Sequence, residues 1–352
     1  MRKLKKLAVA GLVATLVAGT GSVSIAAELD TMNFKVVGSW GGLNPHKNFE
    51  APFWREDLPK ASGGKITGQI SAVTEVGLKG FEVMRLLKSG VFDVAFGAIG
   101  YVAGDNPIIE GAALSSLSQD VDTTWNITKA YRPIIAAQFE KSFNAKLLMM
   151  YGYSSNMFFC KAPVKSIADL KGKKIRTYST TLGDLAEGVG ASSVTVAFAE
   201  MVPALEKGVV DCVITGVMPA YNAKLSQVAK HVFGLRVGWG MSFGAINLQT
   251  WNRLSPATQK FLEEQFADLE ARMWAGTKED DKNAVTCNSS GPCSLGEPGG
   301  MELALPSKED SVARDKLLHD FVLKNWIKRC GKECAGPWND TVGKVINIRI
   351  DG

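Results

Sequence analysis

The chain has 352 residues, of which 46% are hydrophobic, and a formal charge of +5. That apolar content excludes a disordered chain, and the small net charge lacks the concentrated basic field of a nucleic-acid binder, so no nucleic-acid partner is expected. Arg2, Lys3, Lys5 and Lys6 precede the apolar stretch Leu7–Val23, and Ser24-Ile25-Ala26 or Ile25-Ala26-Ala27 offers small residues for cleavage. This three-part build predicts that residues 1–27 are a signal peptide, the Gly- and Thr-interrupted stretch being poorly suited to a transmembrane anchor. Its removal takes the formal charge from +5 to +1 and leaves about 325 residues, enough for two domains.

In chain order, Met32–Ser39 reads as a first strand ending in the loop Trp40–Pro45. Phe49–Ala61 reads as a helix stopped by Gly63-Gly64, and Lys65–Val73 as a second strand. Gly80–Ser89 is an amphipathic helix, and Val91–Phe96 a buried strand with Asp93 at its start. The order β-α-β-α-β is that of a doubly wound parallel sheet. The phrase LKSGVFDVAFG at Leu87–Gly97 returns as LEKGVVDCVIT at Leu205–Thr215. Both run from a helix end through a Gly stop and an Asp into a buried strand, which implies two α/β units of like topology facing a cleft. Lys146–Tyr153, continuing through Ser154–Cys160, reads as a strand crossing between the units, and Leu235–Asn247 as the strand returning. Tyr221–His231 reads as helical. Ser255-Pro256 forms an N-cap and first-turn pair for a long helix through about Lys278, followed by a loop over Asn283–Pro306 and a helix over Lys308–Lys328.

Six cysteines suit an oxidising compartment. Cys287 with Cys293, and Cys330 with Cys334, are disulfide candidates of undetermined connectivity; a zinc site from these four would lack knuckle spacing and a nearby His. Cys160 and Cys212, in apolar strand patterns, are expected to be buried thiols.

The segment Ser166–Ser179, SIADLKGKKIRTYS, draws these elements together. A helical turn and a Gly172 turn lead into a short strand that delivers Arg176 at its end, where α/β folds place ligand contacts. An Arg fork holds a carboxylate by two parallel charge-assisted hydrogen bonds, although a solvated basic turn is the competing interpretation. Trp40 and Trp239 lie beside glycines in loop and hinge stretches, suited either to walling a pocket or to hinge packing. Glu75, at a strand end, is a candidate acceptor for ligand hydroxyls or an amine, unless it is a solvated loop acid.

The run S-x-A-D-L-K-G-x-K-I-R at Ser166–Arg176, Thr195–Glu200 (TVAFAE), ALEKGVVD ending at Asp211 and Trp251–Pro256 (WNRLSP) resemble the periplasmic solute-binding subunits of tripartite ATP-independent periplasmic (TRAP) transporters, the DctP-like family. The resemblance covers nearly all of the chain beyond the leader. It implies a two-lobed periplasmic-binding-protein fold: residues 28–152 mainly in lobe 1, 153–238 mainly in lobe 2, 239–280 forming a return hinge strand and spanning helix, and 281–352 a cysteine-containing loop with C-terminal helices. It further implies a non-enzymatic periplasmic receptor that closes on a small organic acid and hands it to TRAP membrane permease subunits, without a cofactor. Arg176 would hold the ligand carboxylate, with Asn156, Phe198, Thr215 and Gly216 as further pocket positions. Some relatives carry an acid and an aromatic for metal-assisted binding where this chain has Ile214-Thr215, so no metal is expected. Others carry a second basic residue where Asn156 stands, which points to a monocarboxylate. An ATP-driven importer's binding protein, or a secreted enzyme on the same scaffold, are the alternative classes.

Overall fold

The computed structural model describes residues 28–352; the expected signal peptide lies outside them. Its first half places β1 (Met32–Gly38) between β2 (Ile66–Ala72) and β3 (Val94–Ala98), all parallel. Its second half repeats that order, with β5 (Lys174–Thr177) between β6 (Ser192–Thr195) and β7 (Cys212–Gly216). The repeated phrase sits at matching places in the two halves, and its register matches too: Val36 pairs with Val94 as Ile175 pairs with Cys212.

The two repeated acids do the same work. Asp93 Oδ2 accepts the Lys35 amide at 2.9 Å, and Asp211 Oδ2 accepts the Lys174 amide at 2.8 Å. Each aspartate amide in turn donates to the carbonyl of the same lysine. The phrase therefore encodes a clasp that sets strand register, which the side chain reinforces beyond the backbone ladder. Gly90 and Gly208, three residues earlier, adopt φ of 74° and 71°, left-handed values that suit a glycine helix stop. Both β3 and β7 are buried along their whole length, as expected of parallel strands covered on both faces.

The halves are joined by two antiparallel strands, β4 (Ala145–Cys160) and β9 (Trp239–Asn247). β4 pairs with β9 from Ala145 to Ser155, then with β7 from Asn156 to Cys160. The whole sheet runs β2-β1-β3-β9-β4-β7-β5-β6, with the short β8 (His231–Phe233) and β10 (Glu302–Ala304) branching from the end of β4. The helix Pro256–Asn288 crosses beneath both halves; its 33 residues correspond to about 50 Å at the α-helical rise. Ser255 caps it by accepting the Thr258 amide. Phe266 packs against Phe53, Trp54 and Phe96 in the first half, and Asn288 donates to Val217 O at 2.7 Å in the second. Between them the helix tracks β4: Trp274 Nε1 donates to Met150 O, and Asp281 accepts from Ser155 N and Oγ.

Several sequence expectations are corrected. Cys160 and Cys212 are not thiols; they face each other across β4 and β7 and form a disulfide. Cys287 pairs with Cys293 and Cys330 with Cys334, which removes the zinc alternative. The spanning helix continues past Lys278 to Asn288, so Cys287 lies in its last turn and the loop begins at Ser289. Tyr221–His231 is not one helix: a helix over Val217–Asn222 is followed by a short turn and then β8, because Pro219 suits a first turn and Val232 with Phe233 suits a strand. The 23-residue helix Val121–Phe143 has no counterpart in the sequence reading, since Thr124 and Thr128 occupy its inner face and Pro133, a residue that usually ends a helix, lies within it. Asp120 caps it through the Thr123 amide.

C-terminal helices complete the first half. The indoles of Trp326 and Trp338, both wholly buried, donate to Pro107 O at 2.8 Å and Gly111 O at 2.9 Å. They thereby pin the turn Pro107–Ala112.

Candidate functional site

A cavity of about 40 Å³ lies between the halves, at the carboxyl ends of β3, β5 and β7. This is where open α/β sheets present ligand sites. Arg176 enters it from β5 and is only 1% exposed. Its Nε donates to Val196 O at 2.8 Å and its Nη1 to Ile214 O at 3.0 Å, which fixes the plane of the guanidinium. Nη2 has no hydrogen-bond partner among the described residues. Tyr178, two residues on and so on the same side of the extended chain, places its ring 5.2 Å from the guanidinium carbon. Burial pushes the Arg176 pKa down, opposed by the hydroxyls of Tyr101 and Tyr178; no carboxylate contributes. An Arg stays protonated under such a shift. The arrangement is a desolvated cation with one free donor edge, chemically an anion receptor.

Aromatic residues wall much of the same cavity. Trp40 meets Tyr101, Phe198 and Tyr153 edge-on at centroid distances of 5.3, 5.9 and 6.4 Å. Phe198 N donates to Tyr101 Oη at 2.8 Å, a bond from one half to the other. Lys79 pairs with Glu200 at 2.6 Å and Asn222 donates to Asn44 at 3.1 Å across the same gap, so the cleft is closed. Lys79–Glu200 is exposed on both sides and contributes little to that closure.

Of the residues picked from sequence, Arg176, Asn156, Phe198, Thr215, Gly216 and Trp40 all line this cavity. Asn156 bonds Tyr178 Oη at 2.9 Å, and Gly216 is required by crowding, since a Cβ there would stand 2.9 Å from Ser154 O. Two candidates fall elsewhere. Glu75 is exposed, outside the cavity, and closes its own loop by accepting the Ala72 amide at 2.8 Å. Trp239 lines a neighbouring space of about 10 Å³ behind the Asn156–Tyr178 pair, together with Glu110. Glu110 is wholly buried, accepts from the hydroxyls of Thr180 and Thr181, and has its pKa pushed up by burial.

Tyr101, Tyr153, Tyr178, Pro219 and Met241 also line the cavity and were missed. A signal existed for two of them. Extending the repeated phrase past its strands aligns Tyr101 with Pro219, and Ala98 with Gly216, all four lining the cavity. Among the described residues, no cluster of His, Cys, Asp and Glu is arranged to hold a metal ion.

Asn44 also donates to Asp280 on the spanning helix at 2.8 Å, so Asp280 anchors the chain of amides crossing the cleft. Burial raises the Asp280 pKa to about 6, Asp281 adding to it and Asn44 and Lys47 opposing. Because this folded pKa lies above that of an unfolded Asp, the native state holds the extra proton between about pH 4 and 6. Stability from this group therefore falls as pH rises through that window. Asp280→Asn should melt a few degrees above wild type at pH 7 and show a smaller advantage at pH 4.5, as scanning calorimetry at the two pH values would test.

A profile of the family described as bacterial extracellular solute-binding protein, family 7 (DctP), matches residues 42–302. Among curated proteins, the chain is 26% identical over 181 residues to the 2,3-diketo-L-gulonate-binding periplasmic protein YiaO of Escherichia coli; the match spans 50% of this chain and 54%, about half, of that relative. Among solved structures, DctP7 of Bordetella pertussis, an extracytoplasmic solute receptor binding pyroglutamic acid, superposes with a TM-score of 0.79 at 19% identity, covering 88% of this chain and 99% of that one. A TRAP periplasmic solute-binding protein of Desulfovibrio salexigens with bound orotic acid superposes at 0.78 with 18% identity, covering 89% and 99%. At these identities the superpositions establish the shared fold.

Proposed function

The chain belongs to the bacterial extracellular solute-binding proteins of family 7, and from that premise we propose that it captures a small organic monocarboxylate and delivers it to a TRAP membrane permease. The observation that carries the proposal is the free Nη2 edge of Arg176, a wholly buried cation in a cavity between two halves. Residues 28–152 and 153–238 would act as the main parts of lobes 1 and 2, hinged through β4 and β9. Closure excludes water from the ion pair and strengthens it, so ligand binding favours the closed form. The work is binding and release, not turnover, and takes place in the periplasm once the N-terminal 27 residues are removed.

A monocarboxylate is favoured because Arg176 is the single cationic residue among the cavity's lining residues. A second carboxylate would be buried without a counter-charge, at a cost of several kcal/mol. The pyroglutamate and orotate bound by the two solved relatives are compact ring monocarboxylates, whose flat faces suit an aromatic-walled cavity. A thermal-shift screen of the leaderless protein against paired mono- and dicarboxylates tests the reading. Monocarboxylates should raise the melting temperature by several degrees; a larger rise with succinate than with butanoate would refute it.

A further inference from the structure

Arg176 accounts for one anionic group of the ligand and says nothing about the remainder. The same cavity is lined by Trp40 and Tyr153, both more than nine-tenths buried. The Trp40 indole N–H has no hydrogen-bond partner among the described residues, and the Tyr153 hydroxyl, although close to the hydroxyls of Ser39, Tyr151 and Ser242, makes no well-formed hydrogen bond to them. An indole N–H can only donate, and leaving a buried donor unmet is costly, so such pairs of donors in a cleft await an acceptor. The buried hydroxyls of Ser39 and Ser242 also lie close to Tyr153 and draw its pKa down against burial.

This wall is held in place. Glu50, with no exposed surface, accepts the Ser39 amide at 2.7 Å and the Tyr151 hydroxyl at 2.8 Å, and contacts His46 Nδ1 at 3.2 Å. It thus ties the backbone next to Trp40 to β4, two residues before Tyr153 on the same side of the strand. The Trp40 ring is wedged among Tyr101, Phe198 and Tyr153, leaving its indole little freedom. Burial, with the Glu50 carboxylate adding to it, pushes the Tyr153 pKa up, so the hydroxyl keeps its proton. The same carboxylate makes this end hostile to a second anion.

Building on the carboxylate reading above, we propose that Trp40 and Tyr153 form a second recognition point, selecting monocarboxylates that carry a neutral hydrogen-bond acceptor over the same acids without it. The acceptor is a carbonyl or hydroxyl oxygen set away from the carboxylate. Glu50 is a positioning residue for both donors and does not itself touch the ligand.

Titration calorimetry of the leaderless protein tests this with two probe pairs: pyroglutamate against cyclopentanecarboxylate, and levulinate against pentanoate. Wild type should bind at least one oxo acid about 10- to 100-fold more tightly than its partner, the range expected for one or two unmet buried donors. Trp40→Phe and Tyr153→Phe, each removing a donor while keeping an aromatic side chain, should shrink that ratio to a few-fold, the ratio within each pair and not either absolute affinity being the readout. Equal affinities within both pairs in wild type, or a preference that survives both substitutions, would overturn the inference and leave the carboxylate reading standing. If none of the four acids binds, the monocarboxylate reading fails and this inference falls with it.

Discussion

Arg176→Ala should abolish ligand binding, weakening it by about 3–5 kcal/mol, because the ligand carboxylate would then be buried with no cation to meet it. That loss corresponds to a dissociation constant raised by roughly two to three and a half orders of magnitude. Arg176→Lys should fall between the two. An ammonium keeps the charge, but it cannot reproduce the fork that bonds Val196 O, Ile214 O and the ligand together. Calorimetric titration with an acid that shifts the wild-type melting curve decides the matter. Wild-type affinity in the alanine variant would remove Arg176 from the site.

Trp326→Ala should have the opposite profile, costing about 3–5 kcal/mol of folding stability with ligand affinity at low temperature largely retained. The indole is fully buried, lies 6.3 Å from the Trp338 ring, and donates to Pro107 O. Its removal opens a large cavity and orphans a carbonyl on the turn that carries Glu110. Denaturant unfolding would show a lowered midpoint at unchanged slope. A midpoint within about 1 kcal/mol of wild type would mean that the C-terminal helices are not part of the cooperative core.

Arg176 was legible mainly through the resemblance of Ser166–Arg176 to the DctP-like family, because Lys173 and Lys174 beside it leave a solvated basic turn open on local pattern alone. Its burial in the cavity comes from the position of strand β5 between β6 and β7. The paired halves were legible because the repeated phrase carries its own register device, the Asp93 and Asp211 clasps. Tyr153 was hidden for the converse reason: in the run KLLMMYGY a tyrosine reads as core, and its place in the cavity lining comes only from tertiary packing beside Trp40. The Cys160–Cys212 disulfide depends on β4 pairing antiparallel with β7, a contact between segments 52 residues apart that no local pattern encodes. Trp239 was misplaced because its neighbours in sequence are glycines, whereas its neighbours in space are set by the pairing of β9 with Ser155. Glu75 illustrates the local alternative: a loop acid three residues from a free amide closes its own turn before it reaches anything else.

The single strand β4 belongs to both halves, its first ten or so residues paired with β9 and its last five with β7. Neither half therefore owns a complete sheet. A fragment cut near residue 152 would leave the later piece with the part of β4 that pairs with β7 and with both cysteines of that disulfide, yet would take from the first half β9, the strand that pairs β3 with β4. The two halves share one continuous piece of backbone, so neither is an exchangeable module. Chimeras that seek to graft one receptor's specificity onto another would have to carry β4 along with whichever wall of the cavity they mean to transplant.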